Sequence, residues 1–237
     1  MKIKIIATGS SKLERFIHRW GVSFLIGDNL LFDTFGDPGV LLNNMRKFNV
    51  DAVRIKHIVL SHDDWDHISG LWYLLPNHKD ITVYICPGFQ QEIKRRIASF
   101  GVRVVEVEPF TEIKEDVFSS GQIETSCAGR TIFEQALVIK FLNNLSIITG
   151  CAHPGIVNIM DMVKDHFQKE HIYSVLGGLH LKDNPREVNL EIIEKLHGFG
   201  IRKIVPMHCT GKYATKIIRD RFGYGFVRIK EGDAIEL

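Results

Sequence analysis

Four apolar runs of strand length in this chain each lead into a histidine. Ile58-Val59-Leu60 runs into His62, Leu145–Ala152 into His153, Tyr173–Leu179 into His180, and Lys203–Met207 into His208. Strand ends gathered on one rim of a sheet are where α/β folds collect their reactive groups. Any one of these histidines, taken singly, reads as an ordinary structural residue. Four in the same context point to a shared site, and they restrict the chain to folds that bring several strand ends together.

The first of the four is the richest. Residues 61–71 read Ser-His-Asp-Asp-Trp-Asp-His-Ile-Ser-Gly-Leu and hold four potential metal ligands: His62, Asp64, Asp66 and His67. Neutral imidazole and carboxylate are the usual side-chain ligands of borderline and hard divalent cations. If the backbone stays extended past Leu60, period-2 alternation places His62, Asp64 and Asp66 on one side. His67 then projects from the turn into a following helix. The plainer reading is a solvated turn in which Asp66 caps a helix through Ile68, Leu71 and Leu75.

Apolar patterning predicts strands at 2–7, 22–26, 29–33, 56–61, 82–85, 103–108, 122–127, 136–141, 145–149, 172–176, 202–206 and 225–229. Asp28-Asn29 reads as a hairpin turn. Spacing of 3.6 residues predicts helices over Pro38–Phe48, His67–Leu75, Gly88–Phe100, Pro154–Gln168, Arg186–Phe199 and Gly211–Arg221. Pro154 is taken as a first helical position. Hairpins dominate the first half, and strands alternate with helices in the second. That order implies mixed sheets with helices outside, in a single α/β (α+β) domain over 1–237, rather than a pure βαβ Rossmann unit. Neither G-x-G-x-x-G nor G-x-x-x-x-G-K-[ST] is present, so no nucleotide phosphate cradle is supported.

With 30 basic against 28 acidic residues and no Lys/Arg run, no nucleic-acid surface is indicated. No stretch has membrane-spanning length, and the apolar part of the N-terminus is too short for a signal peptide. Cys86, Cys127, Cys151 and Cys209 lack C-x-x-C spacing, which fits free thiols and a cytoplasmic location. Cys151 and Cys209 each stand within two residues of one of the strand-end histidines.

Ser61-His62-x-Asp64-x-Asp66-His67-x-x-Gly70 resembles the H-x-H-x-D-H signature of the metallo-β-lactamase-fold hydrolases. Further stretches resemble one branch, the dihydropterin–ribofuranosylaminobenzene phosphate synthases. They are Thr149-Gly-Cys-Ala-His153-Pro-Gly-Ile-Val-Asn158, Gly177-Gly-Leu-His180-Leu, His208-Cys-Thr-Gly211, Leu31-Phe-Asp33-Thr and Glu134-Gln-Ala-Leu137. The resemblance implies a four-layer αββα sandwich of two mixed sheets with metals at one rim. Carried over motif by motif, it implies one subsite of His62, residue 64 and His153, and another of Asp66, His67 and His208. One or two divalent ions (Zn, Mn or Fe) would serve as cofactor. The implied activity is a metal-activated water attacking a small-molecule ester, phosphorylated and of pterin type if the branch holds. Paired metals about 3.5–4 Å apart acidify a shared water and polarise a phosphoryl or carbonyl oxygen.

Two departures from the family pattern stand out. Position 64 carries Asp where the signature has His, a harder and anionic ligand that favours Mn, Fe or Mg over Zn. A carboxylate at that position also resembles the superfamily's diiron flavoproteins, so redox chemistry is an alternative, although their flavodoxin-like domain has no room within these residues. The second departure is at Gly178-Leu179-His180, where relatives often carry a bridging Asp. His180 is therefore a candidate substrate contact or general acid, with Asp66 the other candidate catalytic residue. A degenerate metal- or ligand-binding module without turnover is the third reading. Asp33 is a candidate for orienting a ligand histidine, or a simple strand-end turn. Trp65 could stack on a heterocycle, while Trp72 fits the core. Thr210-Gly211 opens a helix suited to phosphate, with Lys212 beside it.

Overall fold

Alternation along the first strands sorts side chains onto two faces, and both faces are buried. The computed structural model describes residues 1–237, the Lys12 side chain excepted. Its first strands are β1 (Lys2–Gly9), β2 (Gly21–Ile26), β3 (Leu30–Phe32), β4 (His57–Val59), β5 (Thr82–Ile85) and β6 (Arg103–Glu106). Next come β7 (Glu112–Lys114), β8 (Val117–Ser119), β9 (Ile123–Cys127), β10 (Arg130–Glu134) and β11 (Leu137–Phe141). The last are β12 (Asn144–Thr149), β13 (His171–Gly178), β14 (Lys203–Met207) and β15 (Ala234–Glu236). The helices are α1 (Lys12–Phe16), α2 (Pro38–Lys47), α3 (Trp65–Ile68) and α4 (Leu71–Leu74), then α5 (Gln91–Ala98), α6 (Ile156–His166), α7 (Arg186–Gly198) and α8 (Lys212–Phe222).

One sheet runs β15-β1-β2-β3-β4-β5-β6 and the other β14-β13-β12-β11-β8-β7, with β9 and β10 as a separate hairpin. Both large sheets are mixed: β3 to β6 are mutually parallel, as are β12, β13 and β14, and the remaining pairings are antiparallel. Val22, Phe24, Ile26, Leu30, Phe32 and Val59 of the first sheet pack against Leu137, Ile139, Ile148, Leu176 and Val205 of the second. That core lies between the sheets. Leu25, Leu31 and Ile58, on the opposite face of the first sheet, pack under α2, α3, α4 and α5. Val138, Ile147, Val175 and Ile204 do the same under α6, α7 and α8. The layers are therefore α, β, β, α, as the resemblance implies.

Local departures have local causes. The helix expected over His67–Leu75 is broken into α3, α4 and a 3₁₀ turn at Leu75–Asn77. Gly70, at the break, approaches Thr34 so closely that a Cβ there would stand 2.1 Å from the Thr34 carbonyl oxygen. Pro76 then ends the run. Pro154 is not a first helical residue: α6 begins at Ile156, after Gly155 in a left-handed conformation (φ 91°). The strand expected at 225–229 is reduced to one bridge between Phe226 and Ile204. Among the described residues no helix is long and apolar enough to cross a membrane.

Candidate metal centre

The rim where β3, β4, β12, β13 and β14 end collects the strand-end residues of both sheets. His62, Asp64, Asp66 and His67 come from the first sheet, and His153, His180 and His208 from the second. The extended segment expected after Leu60 is short, since α3 starts at Trp65 and puts Asp66 and His67 in its first turn. The helix N-cap is Asp64, and its side chain makes no capping bond. Asp66 does not cap, which removes the plainer reading of the cluster.

Four imidazoles are oriented alike. His62 Nδ1 lies 2.8 Å from Ser61 Oγ, which itself donates to Asp33 Oδ2 at 2.7 Å, so the ring is the donor. His67 Nδ1 donates to Asp33 Oδ2 at 2.6 Å, His153 Nδ1 to Glu134 Oε2 at 2.8 Å, and His208 Nδ1 to the Gly9 carbonyl at 2.9 Å. An Nδ1–H held this way fixes the tautomer and leaves Nε2 as the ligating nitrogen, the arrangement of metal-ligating histidines. His62 Nε2 and His208 Nε2 are buried and have no hydrogen-bond partner. A buried polar atom without a partner is costly, and a cation supplies the missing one.

The spacing separates two triads. Ligand atoms of His62, His153 and Cys151 lie within 4.8 Å of one another, as do those of His67, His208 and Cys151. Asp66 Oδ2 stands 3.3 Å from His67 Nε2 and 3.4 Å from His208 Nε2, so it belongs with the second. Asp64 Oδ2 is 3.6 Å from His62 Nε2, while its other oxygen pairs with Arg130. His180 borders the triads, its ligand atoms grouping with Cys127 and His153 and with Cys151 and Cys209 within 4.8 Å. Its ring centroid is 4.3 Å from that of His153, its Nε2 is 3.8 Å from Cys127 Sγ, and its Nδ1 is buried without a partner.

Electrostatics follow from burial and charge together. Burial, reinforced by the charge of His67, pushes the His62 pKa down to about 3, so this ring is neutral and able to ligate. Burial also disfavours charge on His67, yet Asp66 and Asp33 beside it raise its pKa well above that of a free imidazole. A cation bound at Nε2 would take the place of that proton. Asp66, despite burial, is held far below the usual carboxylate range by His67 and His208. Glu134 is fully buried and also held low, by His153, His62 and three backbone N–H groups, those of Cys151, Ala152 and His153.

Sequence reasoning gave Glu134 no role and singled out Cys151 only for its nearness to His153. The signal for Glu134 was present as a carboxylate closing the alternating run Arg130-Thr-Ile-Phe-Glu. Both readings of Asp33 hold: it turns the chain at φ 56° and it orients His67. The cavity at the rim has a volume of about 420 Å³ and is lined in part by Arg15, Trp20, Trp65, Arg130, His180 and Lys182. Trp72 lies outside it, stacked on Phe100 with Arg96 over its ring. Lys212 faces a neighbouring groove instead of the rim cavity. Gly150 and Gly178 let the strand ends meet: a Cβ on Gly150 would stand 2.1 Å from Ser61 Oγ, and one on Gly178 2.3 Å from the Gly150 carbonyl oxygen.

Known proteins resemble this chain in sequence and fold. The family described as the beta-lactamase superfamily domain matches residues 28–127. An uncharacterized protein of Methanocaldococcus jannaschii is 32% identical over 260 residues, spanning 95% of this chain and 97% of its own. The 7,8-dihydropterin-6-methyl-4-(beta-D-ribofuranosyl)-aminobenzene-5'-phosphate synthase of the same organism is 27% identical over 267 residues, spanning 93% and 91%. Among solved structures, Tm1679, a metal-dependent hydrolase of the beta-lactamase superfamily, superposes with a TM-score of 0.80 at 26% identity, covering 100% of this chain and 99% of that one. YhfI of Bacillus subtilis, a metallo-beta-lactamase fold protein, has a TM-score of 0.72 at 14% identity over 99% of each chain, a likeness of fold alone. This chain belongs to the beta-lactamase superfamily and has the metallo-β-lactamase fold.

Proposed function

We propose that this protein is a metal-dependent hydrolase or synthase acting on a phosphorylated small molecule, with a divalent ion in each of two subsites. His62, His153 and Asp64 hold one, and Asp66, His67 and His208 hold the other. The observation that carries this reading is the common orientation of four histidines, each with Nδ1–H engaged and Nε2 left to ligate. Metals bound there supply Lewis-acid polarisation of a phosphoryl or carbonyl oxygen and acidify water.

The remaining chemistry belongs to the chain. Asp33 and Glu134 hold His67 and His153 in register, and the Gly9 carbonyl holds His208. Arg15, Arg130 and Lys182 line the mouth alongside Asp64, Asp66 and Asp183, and these cations would serve as partners for a phosphorylated substrate. Arg130 also partly neutralises Asp64, which supports ester or phosphoryl chemistry over a carboxylate-rich redox centre. Trp20 and Trp65 offer faces for a planar ring. His180, whose pKa is raised by the Cys209 sulfur beside it, would protonate a leaving group. The synthase name of one relative suggests a pterin-type substrate, and that detail is carried by analogy.

The test pairs metal analysis of protein purified without added metal with a phosphomonoesterase and phosphodiesterase screen across several metals. Metal-dependent turnover that disappears in Asp66→Ala and His67→Ala is expected. Turnover retained in both variants would remove these residues from the mechanism, and two iron equivalents with an oxygen-dependent visible spectrum would favour redox chemistry.

A further inference from the structure

Cys151 occupies an unusual place. It follows β12 through Gly150, its Sγ lies 3.5 Å from His67 Nε2, and it is common to both triads. The expected position for a bridging group, at residues 178–180, carries no carboxylate. His180 there has a ligand atom within 4.8 Å of ones on His153 and Cys151, in groups with Cys127 and Cys209 that include neither His62, His67 nor His208. The buried carboxylates nearby are committed. Glu134 accepts from three backbone N–H groups and His153, Asp33 accepts from Ser61 and His67, and Asp66 sits with the second triad alone. A buried cysteine usually behaves as a small apolar residue among apolar neighbours. This one instead faces imidazoles, and among them the fully buried rings of His62 and His208 present Nε2 atoms without hydrogen-bond partners.

We propose that Cys151 is a metal ligand shared by the two subsites, its thiolate standing where a bridging carboxylate would be expected. The inference rests on the metal-centre reading above. On binding, the thiol proton passes to solvent and the sulfur lone pairs go to the metals. A sulfur ligand between the subsites is soft, so it opposes the hard Asp64 and turns preference toward Zn, Fe or Co and away from Mg and Mn. Cys209 and Cys127 are flanking thiols in this scheme. Cys209 Sγ donates to the Cys151 carbonyl at 3.4 Å, and Cys127 lies against His180.

Cobalt(II) added to the metal-stripped, full-length protein tests this without relying on turnover. The expected spectrum has visible ligand-field bands and a near-ultraviolet sulfur-to-cobalt charge-transfer band. Cys151→Ser should keep the ligand-field bands and lose the charge-transfer band, whereas Cys86→Ser, Cys127→Ser and Cys209→Ser should keep both. A charge-transfer band that survives Cys151→Ser overturns the assignment. Ligand-field bands without charge transfer in the native protein overturn it too, yet leave the metal centre standing. Absence of both kinds of band overturns the metal centre and the thiolate together. If circular dichroism shows Cys151→Ser unfolded, the other three variants decide: a band kept in all three supports Cys151, and one lost in any of them assigns the thiolate elsewhere.

Discussion

Replacing Glu134 by Gln removes one charge and almost no volume, so it isolates what the buried carboxylate does for His153. The amide keeps one acceptor oxygen for four donors, and the NH₂ it gains would face N–H groups. Unpartnered buried donors cost about 1–3 kcal/mol, and loss of the group orienting a ligand histidine lowers metal affinity about 10–100-fold. Urea denaturation and a metal titration of Glu134→Gln measure the two effects. Native affinity in a destabilised variant would show that Glu134 supports the loop and not the ligand. Asp64→His tests the neighbouring subsite. Exchanging the carboxylate for imidazole, and freeing Arg130, should raise affinity for Zn relative to Mn; an unchanged ratio in competition titrations would take Asp64 out of the ligand set. At the mouth, His180→Asn is expected to lower kcat about 10²–10⁴-fold and to flatten one limb of the pH–rate profile. A profile of native shape would assign His180 a packing role.

The elements that carry the site depend on close approach between neighbouring strand ends. Gly178 at the end of β13 passes against Gly150 after β12, and Gly178→Ala should destabilise the protein by about 1–3 kcal/mol, as overpacking does. Native thermal stability would show that the two strand ends have room to part. Much of this layout was legible in the sequence, because long apolar strands and the helices α2, α5, α6, α7 and α8 announce themselves by period. The hairpin of β9 and β10 was half missed: its turn is Ala128-Gly129, both at positive φ, and not the Asn-Gly or Asp-Gly pair that signals such turns. β7, β8 and β15 escaped for a different reason, each being three residues long and defined by its sheet partner more than by its own pattern. Within the site, the histidines were legible as strand-end residues. Glu134 and Cys151 were not, because their roles arise only when separate strand ends are brought together.

At the scale of the whole molecule, buried titrating groups should shape stability against pH. The His62 pKa is lower in the folded protein than the unfolded value of 6.5, so stability falls as pH drops from 6.5 toward about 3. The slope is at most about 1.4 kcal/mol per pH unit. His67 has the opposite sign. Its pKa is raised on folding, so its contribution is complete below 6.5 and is lost as pH climbs toward the folded value. Metal-stripped protein should therefore be most stable near pH 6.5, a maximum that urea midpoints across the acid and alkaline ranges would reveal or exclude. Both sheets contribute to the rim, and that arrangement has a kinetic consequence. Neither triad exists until the two sheets have docked, so a cation has little to grip in the unfolded chain or in a transition state with one sheet formed. Bound metal should then slow escape from the native state while leaving the speed of its formation nearly untouched. In stopped-flow chevrons, only the unfolding arm should move with metal concentration; a folding arm that moves equally would mean the rim assembles early.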